Sequence, residues 1–133
     1  APLGAESDAS WSLDSRFSGF EKMESGLNAR AIDFARFGVM LSRGGVVDSK
    51  QVVPEKWISE ATAMDAMSDP NENYQYFWWT YQNNQFAAQG NKGQYIWVAP
   101  EQETVIVRLG RDETFFWPTL MMDLTRALEI TIR

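Results

Sequence analysis

Apolar residues recur at helical spacing between positions 29 and 42. Ile32, Ala35, Val39 and Ser42 lie on one stripe, and Ala31, Phe34, Gly38 and Leu41 widen it into a face. The pattern predicts a helix over residues 29–42, capped by Asn28 and stopped by Arg43-Gly44-Gly45, with Asp33 and Arg36 as a surface pair. Val46-Val47 and Gln51-Val52-Val53 flank Asp48-Ser49-Lys50, which predicts a small hairpin or loop. Pro54 and Glu55 then open a second helix whose stripe is Trp57, Ile58, Ala61 and Met64. The polar run from Ser68 to Asn73 reads as a loop.

From residue 74 onward the pattern becomes aromatic and β-prone. Residues 74–81 predict one strand, which Gln82-Asn83-Asn84-Gln85 turns back. Phe86-Ala87-Ala88 starts a second strand, interrupted by Gly90-Asn91-Lys92-Gly93 before the run Tyr95-Ile96-Trp97-Val98. Thr104, Val105, Ile106, Val107 and Leu109 form the next run across the turn Pro100-Glu101-Gln102-Glu103, so the two runs read as an antiparallel hairpin. Arg108 falls on the solvent side in this reading, Asp112-Glu113 is a solvated loop, and Trp78 and Trp79 alternate, one to the core and the other to a cleft or a partner, with plain packing the favoured reading. Pro118 opens a last helix with Leu120, Met121, Leu124, Ala127 and Leu128 on its apolar face. Residues 1–27 are irregular, and Trp11, Trp57 and Trp117 read as core anchors.

The order loop, helix, helix, three strands, helix defines an α+β chain: a three-stranded antiparallel sheet portion, a C-terminal helix and two preceding helices. One terminal helix covers one face of such a sheet. The other face and an edge stay open, so the chain reads as part of a larger layered structure, expected to associate with the rest of it or with itself.

Composition narrows the chemistry. With 133 residues the chain is one domain or part of one. A net charge of −6 argues against sequence-independent nucleic-acid binding, which needs clustered Lys and Arg. No apolar run is long enough for a membrane span. The first ten residues lack the basic and apolar regions of a signal peptide, and the missing initiator Met reads as a trimmed start. The compartment, periplasmic or cytoplasmic, stays open. There is no cysteine and no histidine, which removes thiol chemistry, the common zinc ligands and any self-contained Ser-His-Asp triad. No metal or cofactor is expected.

Two glycines three residues apart, Gly90 and Gly93, interrupt the strand pattern where another backbone or a ligand comes close, although turn geometry alone also explains them. Around them, SGLNARAIDFARFGVMLSRGGV, QVVPEKWI, YFWW and GNKGQYIWVAPEQETVIVRLG resemble the C-terminal part of the serine β-lactamase-like family. That family includes class C β-lactamases, esterases, D-amino-acid peptidases and 6-aminohexanoate-dimer hydrolases. The opening Pro2-Leu3-Gly4 is similar to the segment that follows the family's second motif. The resemblance implies that residues 1–133 are a C-terminal segment of a β-lactamase/transpeptidase-like domain.

Family chemistry uses S-x-x-K, then Y-x-N or S-x-N, then [KH]-[ST]-G on a strand beside the site. No serine here has a lysine three residues on, so the nucleophile is expected on a missing N-terminal part of the same protein. Tyr81-Gln82-Asn83 matches the second motif in letters but precedes the third-motif strand, which assigns it to a turn. The third motif falls on Asn91-Lys92-Gly93, where only Gly93 agrees. The resemblance implies that Gly93, Asn91 and Lys92 meet substrate and that the backbone N–H of Gln94 serves the oxyanion hole. The departures at Asn91 and Lys92 point away from β-lactam carboxylates and toward small ester or amide substrates. A non-catalytic binding or structural module that keeps the fold without the chemistry is the alternative.

Overall fold

The computed structural model describes residues 2–64, 73–112 and 114–132. Among these, β1 (Ser10–Trp11) pairs with β2 (Leu27–Asn28), helix α1 (Ala31–Ser42) follows, and β3 (Val46–Val47) pairs with β4 (Lys50–Gln51). Helix α2 (Glu55–Thr62) leads to β5 (Tyr74–Gln75), β6 (Trp78–Thr80), β7 (Phe86–Gly90), β8 (Gln94–Ala99), β9 (Thr104–Arg108) and helix α3 (Trp117–Ile132). The last five strands form one antiparallel sheet in sequence order. The α+β class stands. The three-stranded sheet does not, because two predicted strands are each a hairpin. Residues 74–81 fold back at Tyr76 and Phe77, both at positive φ, and residues 86–98 fold back at Asn91-Lys92-Gly93. Aromatic density marked the strands, but nothing in it marked the turn at Tyr76-Phe77.

Both faces of this sheet are covered, which removes the uncovered face that motivated association. Met40, Leu41 and Ile58 from α1 and α2 pack on Phe86, Val98, Ile96 and Val105. Met121, Met122 and Trp117 of α3 pack on Ala87, Trp97, Ala99 and Ile106 on the opposite face. Alternate burial of this kind is what period-two side chains of an inner strand produce. Gly38 lets α1 lie close: a Cβ there would fall 2.6 Å from Val105 Cγ1. A buried polar link ties the layers, with Gln85 Oε1 accepting from Trp97 Nε1 at 2.8 Å and from Thr125 Oγ1 at 3.2 Å.

Several local readings change. Asn28 is in β2, and Arg30 occupies the N-cap of α1 without a side-chain cap bond. The Asp33–Arg36 pair forms at 3.0 Å, but Asp33 is buried; it also accepts the Glu6 N–H at 2.8 Å, while Arg36 Nη2 reaches Glu6 Oε1 at 2.6 Å. These bonds pin the N-terminal segment to α1 and hold the Asp33 carboxyl below its ordinary pKa, the Glu6 N–H first and Arg36 next, against the effect of burial. On α3 the buried stripe is Pro118, Met121 and Thr125, whereas Leu120, Leu124 and Leu128 face outward. Trp11 and Trp57 are half exposed; Trp11 Nε1 staples the carbonyls of Lys22 and Ser25, and Trp57 lies edge-on to Tyr76. Trp97 is the fully buried tryptophan. Most of the loop predicted from Ser68 to Asn73 lies outside the described residues. No helix among the described residues is long and apolar enough to cross a membrane.

Candidate functional site

The sheet is incomplete where the predicted site residues lie. Strand β6 pairs with β7 only through Thr80–Phe86 and Trp79–Ala87, whereas β8 follows β7 to Gly90–Gln94. Ala88, Gln89 and Gly90 therefore have β8 on one side and, among the described residues, no strand on the other. Past them, Asn91, Lys92 and Gly93 make the hairpin tip. A three-residue tip needs residues that accept positive φ, and Lys92 and Gly93 lie at +64° and +72°.

The structure brings the four sequence-predicted residues together here, in different surroundings. Asn91 and Lys92 are exposed, Gly93 is buried, and Gln94 starts an inner strand between β7 and β9. Two clefts meet at Gly90 and Asn91. The larger, about 660 Å³, lies on the α1 side and takes in Gln94, Phe34 and Leu109. The smaller, about 420 Å³, lies on the α3 side and is walled by Trp79, Tyr95, Phe115, Phe116 and Trp117. Trp79 is thus the cleft tryptophan, while Trp78 packs on Phe37 and Phe86. Tyr81-Gln82-Asn83 forms the β6–β7 turn, with the Tyr81 N–H donating to Gln85 O and with Asn83 and Asn84 at positive φ.

Two side chains outside the motif hold the tip from opposite faces. On the α1 side, the Gln94 side-chain amide mimics a missing strand. Its Oε1 accepts the Gly110 N–H at 3.0 Å, and its Nε2 donates to the Gly110 carbonyl. On the α3 side, Arg108 Nη1 donates to the Gly93 carbonyl and, at 3.5 Å, to that of Lys92, while its Cζ lies 3.6 Å from the Trp117 ring centroid. Arg108 is therefore half-buried against aromatic and backbone groups and not a simple solvent-side residue. Sequence alternation could not label its side, because both faces of β9 are apolar. The opposite partner, Tyr95, was the available signal, since it pairs with Arg108 and packs toward α3.

Electrostatics follow the same residues. The amide and hydroxyl of Thr114, at 2.8 and 2.7 Å, hold the Asp112 carboxyl below its usual pKa; burial opposes them and the charge of Arg108 adds to the lowering. Burial pushes the Tyr81 hydroxyl up to about 12, Tyr95 adds to the rise, and a hydrogen bond donated by Gln89 works against it. Among the described residues no group of three or more carboxylates converges as a metal site.

This architecture, with helices on both faces of an antiparallel sheet and a glycine-bearing hairpin tip at an open edge, joins the motifs in resembling the C-terminal part of the serine β-lactamase-like family. The chain is related in particular to the 6-aminohexanoate-dimer hydrolases. It is 31% identical to the 6-aminohexanoate-dimer hydrolase of Paenarthrobacter ureafaciens, over 97% of this chain and 37% of that protein. It also superposes on a solved structure from Bacillus anthracis, provisionally named a 6-aminohexanoate-dimer hydrolase. There the TM-score is 0.78 with 25% identity, over 96% of this chain and 36% of the other. The chain thus spans little more than a third of the length of either relative. No family model matches it.

Proposed function

We propose that residues 1–133 are the C-terminal segment of a serine hydrolase domain that cleaves small esters or amides through an acyl-enzyme. In this reading the hairpin tip supplies backbone N–H donors to the oxyanion hole, and Asn91, Lys92 and Gly93 border the substrate. An upstream part of the same protein supplies the nucleophilic serine with its lysine and the second motif. The observation that carries the reading is the position of the tip. It sits where two clefts meet and where the sheet edge has lost its neighbour, so a carbonyl can reach backbone groups that a continuous sheet would occupy. A site built from backbone tolerates the side-chain departures at Asn91 and Lys92.

The donor assigned from sequence is the Gln94 N–H. A second position is favoured by the end of β6 at Ala87: the Asn91 N–H lies at the end of the open edge, whereas Gln94 starts an inner strand. Replacing either residue by its α-hydroxy acid turns one peptide N–H into an ester oxygen and leaves the side chain intact. In the parent protein, the replacement that removes the oxyanion donor should lower kcat about a hundredfold. If both replacements leave kcat unchanged, the tip is not the oxyanion strand. The 133-residue chain alone, with no S-x-x-K, histidine or cysteine, should hydrolyse no ester or amide above background. Fluorophosphonate labelling of one of its serines, lost on Ser→Ala, would contradict that.

A further inference from the structure

We infer that Gln89 is a specificity-determining residue that accepts the N–H of a secondary amide and so favours amides over esters of the same shape. The inference rests on the proposed hydrolase reading and deepens it by naming the substrate class. Both clefts are lined by Gln89, Gly90, Asn91 and Tyr95. Of these, Gln89 offers a half-buried carboxamide, whereas Gly90 has no side chain and Asn91 is exposed at the tip. Period two along β7 puts Gln89 on the α3 face with Ala87, opposite Tyr95 of β8. There its Nε2 donates to the Tyr81 hydroxyl, and the Tyr81 ring is itself packed on Trp97, with centroids 4.4 Å apart. With Nε2 held by Tyr81, the end of the carboxamide left for a ligand is the carbonyl oxygen Oε1, an acceptor.

The backbone places this acceptor beside the open edge. Bonds from a strand toward one neighbour fall on alternate residues. The Tyr81 N–H donates to the Gln85 carbonyl, so bonds toward β6 belong to Gln85 and Ala87, and Gln89 comes next, beyond the end of β6. Asn91 is two residues further, roughly 7 Å along an extended strand. A trans amide points its C=O and N–H in opposite directions. With a hydrogen bond of about 2.9 Å at each end, one amide group bridges that distance, its carbonyl on the Asn91 N–H and its N–H on Gln89 Oε1. An ester of the same shape has a lone-pair oxygen where the amide has its N–H, and sets it against another acceptor. Among the described residues the smaller cleft carries no charged side chain, which suits an uncharged amide N–H better than an ammonium ion.

The test measures kcat/KM in the parent protein on the p-nitroanilide and the p-nitrophenyl ester of one short acyl group. Gln89→Met keeps the bulk and loses the acceptor, so it should lower the anilide-to-ester ratio about tenfold. Tyr81→Phe releases Nε2 and lets the carboxamide turn, so it should lower the ratio about threefold. Gln89→Glu keeps an acceptor and should retain most of the amide preference. The ratio reads specificity alone, because lost folding or a displaced strand slows both substrates alike. A Gln89→Met ratio within about twofold of wild type would overturn the inference, whatever happens to the two rates. If the α-hydroxy acid at position 91 is damaging in the same protein, that result leaves the hydrolase reading intact. If the replacements at 91 and 94 both leave kcat unchanged, the reading of the tip falls and the inference falls with it. Should Gln89→Met fail to fold, Gln89→Ala carries the same comparison, with the same outcomes.

Discussion

Replacing Gly93 by alanine should cost stability before it costs chemistry. The residue sits at φ +72°, where an L side chain meets its own backbone at a cost of about 1–2 kcal/mol. Its Cβ would also lie 2.5 Å from the Asp112 carbonyl oxygen and 3.2 Å from Trp117 Nε1, and it would strike the Arg108 guanidinium. The Asp112 carbonyl is backbone, so the guanidinium is what moves. Its hydrogen bond to the Gly93 carbonyl is of the charged kind, ~1.5–3 kcal/mol, and its contact with Trp117 adds ~0.5–1 kcal/mol. Taking the lower end of each range, the variant should lose about 3 kcal/mol. Urea unfolding followed by tryptophan fluorescence reads this as a fall in midpoint of roughly 1.5 M for a slope near 2 kcal/mol per molar. In an Arg108→Ala background the same substitution should cost at least ~1 kcal/mol less, because one of the obstructing groups has gone. A loss below ~0.5 kcal/mol, or equal losses in both backgrounds, would refute the reasoning. The resemblance ascribes this glycine to substrate approach. The direction of its missing Cβ also makes it the seat of Arg108, so an inactive Gly93→Val protein would not by itself separate substrate approach from lost packing.

Gly38→Ala should destabilise by about 1 kcal/mol: a gain of ~1 kcal/mol in helix propensity is outweighed by ~1–3 kcal/mol of overpacking against Val105 Cγ1 at 2.6 Å, and a raised Tm would contradict this. Gln94→Ala should cost ~1–2 kcal/mol and speed amide exchange at Gly110, whose N–H and carbonyl both lose a partner; unchanged exchange would mean that the clamp does not form in solution. Tyr81 has a folded pKa of about 12 against 10.0 when unperturbed, so the folded state holds a proton that the unfolded state releases. The associated stability is complete below pH 10.0 and is lost as pH rises through about 12, so stability should fall less steeply across that interval in Tyr81→Phe, and parallel curves would refute the assignment. Asp33, with its pKa lowered from 3.8, should give the opposite sign: its stability is present above that value and is lost on further acidification, which Asp33→Asn should abolish in acid-unfolding curves.

The elements that the sequence revealed are those whose burial is one-sided or whose ends carry turn chemistry. Helix α1 ends at Gly44 and Gly45, both at positive φ, and Gly45 N–H donates to the Met40 carbonyl at 2.9 Å, as the glycine pair implied. The β8–β9 hairpin likewise lies where its apolar runs and intervening turn put it. What stayed hidden depends on two-sided burial. On β7, β8 and β9 both faces are apolar, so alternation could not say that α1 covers one face and α3 the other. On α3 the three leucines lie on the exposed side, and Thr125 is buried because Gln85 waits for it as an acceptor, a pairing forty positions apart that no local pattern contains. The tip was legible as two glycines, but whether they served a turn, a ligand or a side chain was not. Gly93 carries a positive φ of the turn and leaves room for Arg108, whereas Gly90 has no positive φ and borders both clefts.

A site made of backbone is written in the residues that hold the backbone and not in the motif letters. At this tip the letters have largely gone, with Asn91 and Lys92 standing where the family pattern has a cation and a hydroxyl. The conformation is nevertheless specified from several directions at once: positive φ at Lys92 and Gly93, the Gln94 clamp on Gly110, and Arg108 stacked on Trp117 between two glycines. Each of these restrains the same few peptides, and together they leave those peptides little freedom to reorient when charge develops nearby. Preorganisation of that kind is what makes fixed dipoles stabilise a transition state, since no free energy is then spent turning them. On the proposed hydrolase reading, loss of the motif side chains should therefore alter which substrates bind more than whether an oxyanion is held, and loss of a holding residue should do the reverse. In kinetic terms, Asn91→Ala and Lys92→Ala should act mainly on KM. Arg108→Ala should act on kcat, and the contrast between the two sets separates a backbone-built site from one that depends on its side chains.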